Sequence, residues 1–239
     1  MIDTHAHLDA LGDEPEQVLA RARQGGVTRI LTVGMAQAVA LAERFDNVFA
    51  IVGIHPHESA DGDLDEVRRL HAHPKAVAVG ETGLDWFRDY APRDAQRRIF
   101  AAQLELAREL GKPVVIHTRA ADADTLAALV GYDGTVVLHC FSSPHLIEPA
   151  LERRWYVSFA GNATFPKAVD LRLAATQVPA DRILAETDSP YLAPQPVRGK
   201  RNEPAYVVHT VATLAEARGE DPDVLGAQID RNASACFRL

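Results

Sequence analysis

Eight short runs of apolar and β-branched residues recur along the chain: IDTHAHL from Ile2, VTRILTV from Val27, NVFAIVGI from Asn47, AVAVGETGL from Ala76, PVVIHT from Pro113, TVVLHC from Thr135, WYVSFAG from Trp155 and RILAETD from Arg182. Between them lie segments whose apolar residues return at three- or four-residue steps. In DAQRRIFAAQLELARELG from Asp94, Ile99, Ala102, Leu106 and Leu110 mark one face and Gly111 ends the run. Strands joined through helices pair in parallel, because each connection has to carry the chain back to the starting end of the sheet. Spread over eight repeats, 239 residues leave about 30 per unit, the size of a strand with its crossover helix. This arithmetic predicts a single-domain α/β fold over residues 1–239, a closed (β/α)8 TIM barrel. An open doubly wound sheet more often carries a glycine-rich phosphate loop after its first strand, whereas here that strand ends in THAHLD. The Pro-rich stretch Ser189–Pro204 reads as one long loop after the eighth strand, followed by a closing helix from about Ala205 to Arg218.

Composition narrows what such a barrel can bind. With 25 Lys plus Arg against 33 Asp plus Glu, the net charge is −8, so no broad basic surface exists for nucleic acid or an anionic membrane. Affinity for an anion has to come from a local site. A 47% hydrophobic content excludes disordered and collagen-like classes. Two cysteines make no disulfide framework: Cys140 sits in the apolar run VVLHCF and Cys236 is three residues from the end. Both are expected to be reduced and packed, in a cytoplasmic setting. The longest weakly polar stretch, Leu31 to Ala42, is interrupted by Gly34 and Gln37 and falls short of the roughly 20 residues of a membrane span. The opening MIDTHAHLD has neither the basic start nor the apolar region of a signal peptide. No membrane association and no obligate protein partner are expected.

In a barrel of this kind the C-terminal ends of the strands converge on one mouth. The first predicted strand ends with His5 and His7, the fourth with Glu81, the fifth with His117, the sixth with His139 and the eighth with Asp188. Residues two apart on a strand share a face, so His5 and His7 can chelate one ion. His71 and His73 repeat the spelling at a helix end before Pro74, where positions i and i+2 diverge by about 200°, and that pair is expected to be a solvated helix end. Four histidines and two carboxylates on one rim would leave charge repelling and unpaired unless cations were present. Six side chains also exceed what one four-coordinate ion takes while keeping a position open, so two divalent ions are expected. Some barrel hydrolases share two ions through a carboxylated lysine. The four lysines here, Lys75, Lys112, Lys167 and Lys200, all lie away from strand ends, leaving Glu81 as the candidate bridge.

Seven blocks occur in order along nearly the whole chain: IDTHAHLD from Ile2, VGIHPHE from Val52, VGETGLDW from Val79, PVVIHTR from Pro113, LHCFSS from Leu138, ETDSPYLAP from Glu186 and RGKRNEP from Arg198. They resemble the TatD family of metal-dependent deoxyribonucleases, within the amidohydrolase-like metal barrels. The resemblance implies that His5, His7 and Asp188 bind one ion, His117 and His139 the other, and that Glu81 lies between them. Ala6, Thr118, Ala121 and Ser143 depart from the family's usual Cys, Ser, Asp and Gly; none is a proposed ligand, so they bear on the shape of the cleft.

Two divalent ions against Glu81 and Asp188 leave the site at about +2, a cationic mouth on an acidic protein. That sign suits a phosphodiester hydrolysed by activated water, with Asp188 as proton acceptor as well as ligand and Glu81 as the catalytic bridge. His55, Arg198 and Arg201 are candidate substrate contacts; the alternative for Arg201 is a pair with Glu203 or a lock of its loop to the barrel. Trp86 and Phe87 are candidates for stacking a base, and Asp3 and Glu186 for supporting the ligands. Mixed imidazole and carboxylate donors suit Zn, Mn, Ni or Fe, and the family resemblance adds Mg, so Mg, Mn and Zn are the expected candidates without a choice among them. The reaction expected from the resemblance is 3′–5′ exonucleolytic cleavage of single-stranded DNA or RNA, which makes nucleic acid the expected substrate. The same barrel and ligands also accommodate an ester or amide hydrolase, such as a D-aminoacyl-tRNA deacylase, or a metal-dependent binding protein without turnover.

Overall fold

The strand β1 (Ile2–Ala6) is buried at all five positions and β4 (Ala76–Asp85) at all ten. Such runs, buried on both faces, belong to strands pressed between a filled interior and a jacket of helices. In the computed structural model, which describes residues 1–88 and 90–239, eight strands form one sheet in sequence order. These are β1, β2 (Arg29–Gly34), β3 (Val48–Val52), β4, β5 (Val114–Arg119), β6 (Val136–Leu138), β7 (Tyr156–Phe159) and β8 (Ile183–Ala185). Every neighbouring pair is parallel. Crossovers carry α1 (Pro15–Gln24), α2 (Ala36–Arg44), α3 (Leu64–Leu70), α4 (Arg93–Leu110), α5 (Asp122–Ala128), α6 (Ile147–Glu152) and α7 (Val169–Gln177), and α8 (Val207–Arg218) and α9 (Pro222–Phe237) follow β8. The sheet curls into a barrel whose seam is closed by backbone bonds just past β8. The His7 N–H donates to Ser189 O at 2.7 Å, and the Asp188 N–H donates to His5 O at 2.9 Å. Buried Asp3 clamps the same seam, its Oδ1 accepting from Thr187 N at 2.9 Å and its Oδ2 from the Thr187 hydroxyl. The (β/α)8 expectation holds, strand for strand.

The α4 helix shows how the wall positions the rim. Its inward face is Ala95, Ile99, Phe100, Leu104, Leu106 and Ala107, and Gly111 ends it in the left-handed conformation. Two buried glutamines break this apolar face. Gln103 accepts from Ile54 N at 2.8 Å and donates to Ile54 O at 2.9 Å and to the Thr82 hydroxyl. Gln96 accepts from Asp85 N at 2.9 Å and donates to Ala91 O at 3.0 Å. One helix thus satisfies the loose backbone at the ends of β3 and β4, where the ladder between these two strands has stopped.

Two features differ from the sequence reading. The chain does not finish on α8: Asp221 caps a further helix, accepting from Asp223 N and Val224 N, and α9 buries Leu225, Ile229, Ala233 and Phe237 at four-residue steps. Its apolar stripe is diluted by Gly226 and Asn232, the latter buried because it donates to Ala180 O and Ile183 O beneath β8. His71 is buried rather than solvated. Its Nε2 lies 3.0 Å from Val52 O and its Nδ1 3.3 Å from Lys112 Nζ, and burial pushes its pKa down to about 4. The divergence of the pair is real, but it sends one ring inward: His73 stays half-buried, its Nδ1 accepting from Lys75 N. Cys140 and Cys236 are both free. Among the described residues no helix is long and apolar enough to cross a membrane.

Candidate metal centre

The ligand expectations from five strands meet at one point, the carboxylate of Glu81. Its Oε2 lies 3.2 Å from His5 Nε2 and 3.9 Å from His7 Nε2, and Asp188 Oδ1 stands 3.5 Å from His7 Nε2 and 4.0 Å from His5 Nε2. Four donors on an ion with bonds near 2.1 Å are about 3.4 Å apart in a tetrahedron, so this spacing fits an ion. The other oxygen, Oε1, lies 2.8 Å from His117 Nδ1, 3.1 Å from His139 Nε2 and 3.5 Å from His55 Nε2. Two sets of donors, sharing Glu81, are therefore positioned to chelate two divalent ions. The fit has an independent mark in His5, whose two ring nitrogens are both buried without a hydrogen-bond partner. A polar atom left so is costly, and a cation against Nε2 removes that cost there.

The charges of the protein alone tell the same story. Burial by itself would raise the Glu81 carboxyl, but the surrounding His139, His55 and His117 hold it well below the usual carboxylate range. Burial would lower His139, yet Glu186 and Glu81 hold it well above an ordinary histidine. Asp188 is likewise lowered, its burial overcome by His7 and His139. Protons on imidazoles here do part of the work that ions would do, and metal binding has to displace them.

Each strand end is itself supported. Asp85, four residues beyond Glu81 on the same strand, is fully buried. Its Oδ2 lies 2.9 Å from His57 Nε2 and 3.3 Å from His117 Nε2, while its Oδ1 accepts from Phe87 N and Arg88 N, both at 2.9 Å. With Nε2–H directed at the Asp85 carboxylate, the His117 proton that an ion would displace is the one on Nδ1, which faces Glu81 Oε1. Glu186 stands behind His139, its Oε1 2.7 Å from Nδ1 though out of line for a hydrogen bond, and is held by Cys140 N at 2.8 Å and the Ser158 hydroxyl. His139, Cys140 and Glu186 also group as donors, but burial pushes the Cys140 thiol up and Glu186 is already engaged. That corner reads as support for His139. Gly83, between Glu81 and Asp85, has φ +140°, and a Cβ there would collide with the His117 carbonyl, so only glycine lets β4 and β5 approach this closely.

The remaining site expectations divide. His55 faces Glu81 with Nε2 while its Nδ1 accepts from His57 N at 3.1 Å, so it orders its loop and presents a donor to the cleft at once. Trp86 is tied down by its Nε1–H to Asp124 Oδ2 at 2.7 Å and is packed by Arg93 and Arg97. Arg198 lies exposed over the Phe165 ring, 4.0 Å from its centroid. Arg201 donates to the Ala10 carbonyl, locking its loop to the one after β1. Glu203 pairs with Arg21 at 2.6 Å rather than with Arg201. Asp3 meets His5 through the backbone N–H at 3.3 Å, not through the ring. Asp85 and His57 escaped the sequence reading; the signal for Asp85 was its place on Glu81's face, two steps of the strand alternation further on.

Comparison with known proteins follows the same lines. The family model described as TatD related DNase matches residues 2–238. The chain is 36% identical over 253 residues to "Uncharacterized metal-dependent hydrolase YabD" of Bacillus subtilis, covering 100% of this chain and 99% of that one. It is 36% identical over 242 residues to "3'-5' ssDNA/RNA exonuclease TatD" of Pectobacterium carotovorum, covering 94% and 93%. The crystal structure of YJJV, a TatD homolog from Escherichia coli K12, superimposes with a TM-score of 0.93 at 30% identity, covering 100% of this chain and 98% of that chain. The chain belongs to the TatD-related family of metal-dependent hydrolases.

Proposed function

We propose that the protein is a 3′–5′ exonuclease acting on single-stranded DNA or RNA, as a single hydrolase domain, in the cytoplasm. The observation that carries the reading is the division of Glu81: one oxygen serves His5 and His7 beside Asp188, the other His117, His139 and His55. Two adjacent ion sites around one carboxylate suit in-line displacement at phosphorus, and the relatives named as exonucleases add the substrate class. Bound there, divalent ions neutralise a phosphoryl oxygen and lower the pKa of water. His5, His7, Glu81, His117, His139 and Asp188 hold them. Asp188, part-exposed at the mouth, takes the proton from the attacking water as the oxygen–phosphorus bond forms, and returns it to the sugar oxygen as the old ester bond breaks. His55 donates a hydrogen bond from Nε2 to the phosphate. Two free cysteines suit a reducing compartment.

The test is metal-stripped protein, reconstituted separately with Mg, Mn and Zn, on 3′- and 5′-labelled single strands of DNA and RNA, on duplex and on a D-aminoacyl-tRNA. A metal-dependent ladder shortening from the 3′ end is expected. Cleavage of the aminoacyl ester with no nucleic acid shortened would transfer the site to deacylation. Asp188→Asn is expected to lose turnover by at least about a thousandfold while binding ions at the His117 side unchanged; near wild-type turnover would remove Asp188 from its role.

A further inference from the structure

Histidine rings form a continuous arc across the mouth. Successive centroids lie 4.3 Å apart from His57 to His55, 4.8 Å from His55 to His117, 6.2 Å from His117 to His139, 3.8 Å from His139 to His5 and 5.3 Å from His5 to His7. Each end of this arc is finished by a tyrosine: Tyr90 lies edge-on to His57 at 4.7 Å, and Tyr191 edge-on to His7 at 5.9 Å. Among the described residues the large exposed aromatics are Phe87, Tyr90 and Tyr191, 62%, 64% and 57% accessible. All three belong to the loops after β4 and β8 that border the metal site. Arginines accompany them on the β4 side: Arg119 lies 4.1 Å over Phe87, and Arg88 stands 5.7 Å from both Phe87 and Tyr90. Elsewhere the fold hides its aromatic faces, as it does Trp86 under two arginines. Rings left in water at the two ends of a metal cleft, with guanidinium groups beside one of them, match the stacking and cationic contacts by which single strands are held.

We propose that Tyr90 and Tyr191 are stacking platforms for the nucleobases on either side of the scissile phosphate, with Phe87 and its arginines extending the Tyr90 side. The assignment rests on the nuclease reading and deepens it. A phosphodiester centred at Glu81 places one neighbouring base toward each end of the arc. Unpaired bases can turn onto separate rings, whereas bases in a duplex are held in their own stack, so the arrangement selects single strands without reading sequence.

The experiment compares an oligo(dT) with an oligomer of the same length carrying abasic sites, on wild type, Y90A, Y191A, Y90F, Y191F and the remote surface control V224A. Two readouts are taken: the ratio of kcat/KM between the two substrates, and equilibrium binding of the labelled oligomers to metal-stripped protein. Each alanine variant is expected to reduce the preference for oligo(dT) by about tenfold in both readouts, with the phenylalanine variants and V224A at the wild-type ratio. Unchanged ratios in Y90A and Y191A would overturn the assignment even if the nuclease activity stands. If no phosphodiester is cleaved, the nuclease reading fails. Binding then decides the platforms: equal affinity for the base-bearing and abasic oligomers overturns them as well.

Discussion

Asp85→Asn is the sharpest perturbation of the site, because the structure determines how the amide must sit. Oδ1 accepts two backbone N–H groups, from Phe87 and Arg88, both at 2.9 Å, so asparagine keeps its oxygen there. Its NH2 then replaces Oδ2, which faces His57 Nε2 at 2.9 Å and His117 Nε2 at 3.3 Å. A donor now meets the Nε2–H of His117. To regain a hydrogen bond with the amide the ring has to give up its Nε2 proton and keep the one on Nδ1, where it donates to Glu81 Oε1 at 2.8 Å, so that nitrogen then has no lone pair to offer an ion. Loss of a carboxylate that orients a ligand histidine costs metal affinity about 10- to 100-fold, or about 1.4–2.7 kcal/mol. The two backbone bonds survive, so stability should change by less than about 1 kcal/mol. Calorimetric titration of stripped protein with Mn or Zn reads both quantities of interest, and wild type should take two ions. In D85N the site built on His5, His7 and Asp188 should keep its affinity and the other should weaken by that factor. Two ions bound at wild-type affinity in a folded D85N protein would refute the tautomer argument.

Gln103→Leu removes the partners of Ile54 N, Ile54 O and the Thr82 hydroxyl inside the wall, and should lower unfolding stability by about 2–4 kcal/mol in urea. A loss below about 1 kcal/mol would mean that water or a shifted backbone replaces the side chain. His71 gives a pH prediction with a definite sign. Its pKa falls from 6.5 to about 4 through burial, so above 6.5 it is neutral in both folded and unfolded chains. As pH drops toward 4 the unfolded chain takes up the proton first, and stability falls by up to about 3 kcal/mol. The stability gap between wild type and H71Q should therefore narrow over that window; a gap independent of pH would show that His71 titrates normally.

Periodicity and strand-end position were enough for the fold and for the six candidate ligands that the barrel brings to one mouth. Strand burial obeys local pattern, and a closed parallel barrel leaves no freedom over which strand ends share a mouth. What stayed hidden depends on distant pairing. Asp85 gains its meaning from His57 and His117, 28 and 32 residues away, and Glu186 from Cys140 and Ser158, 46 and 28 residues away. A lone carboxylate in a sequence does not say which imidazole it will face. The same holds for His71 and His73: the helical angle separated them, but whether either met a carbonyl or solvent was decided by β3 and by Lys112. The cleft's lip was the least legible, since Trp86 and Phe87 are adjacent in sequence and yet one is pinned to Asp124 while the other stands in water.

The barrel seam and the metal centre are one structure. His5 and Asp188 are joined by their backbones, His7 is bonded to Ser189, and Asp3 clamps Thr187 beside them, so the positions of three proposed ligands are set by the bonds that close the sheet. Backbone bonds do not depend on which side chain the residue carries. Substitutions such as Asp188→Asn should thus alter donor chemistry while leaving the closure intact, and their kinetics can be read as chemistry. Asp3→Ala should do the opposite, since Asp3 bonds only Thr187 and the His5 backbone N–H: it leaves every donor in place and removes the partner of Thr187 N in a buried seam. A site whose geometry comes from barrel closure should loosen in D3A along the β1–β8 seam, weakening the proposed His5, His7 and Asp188 ion site in step with global stability.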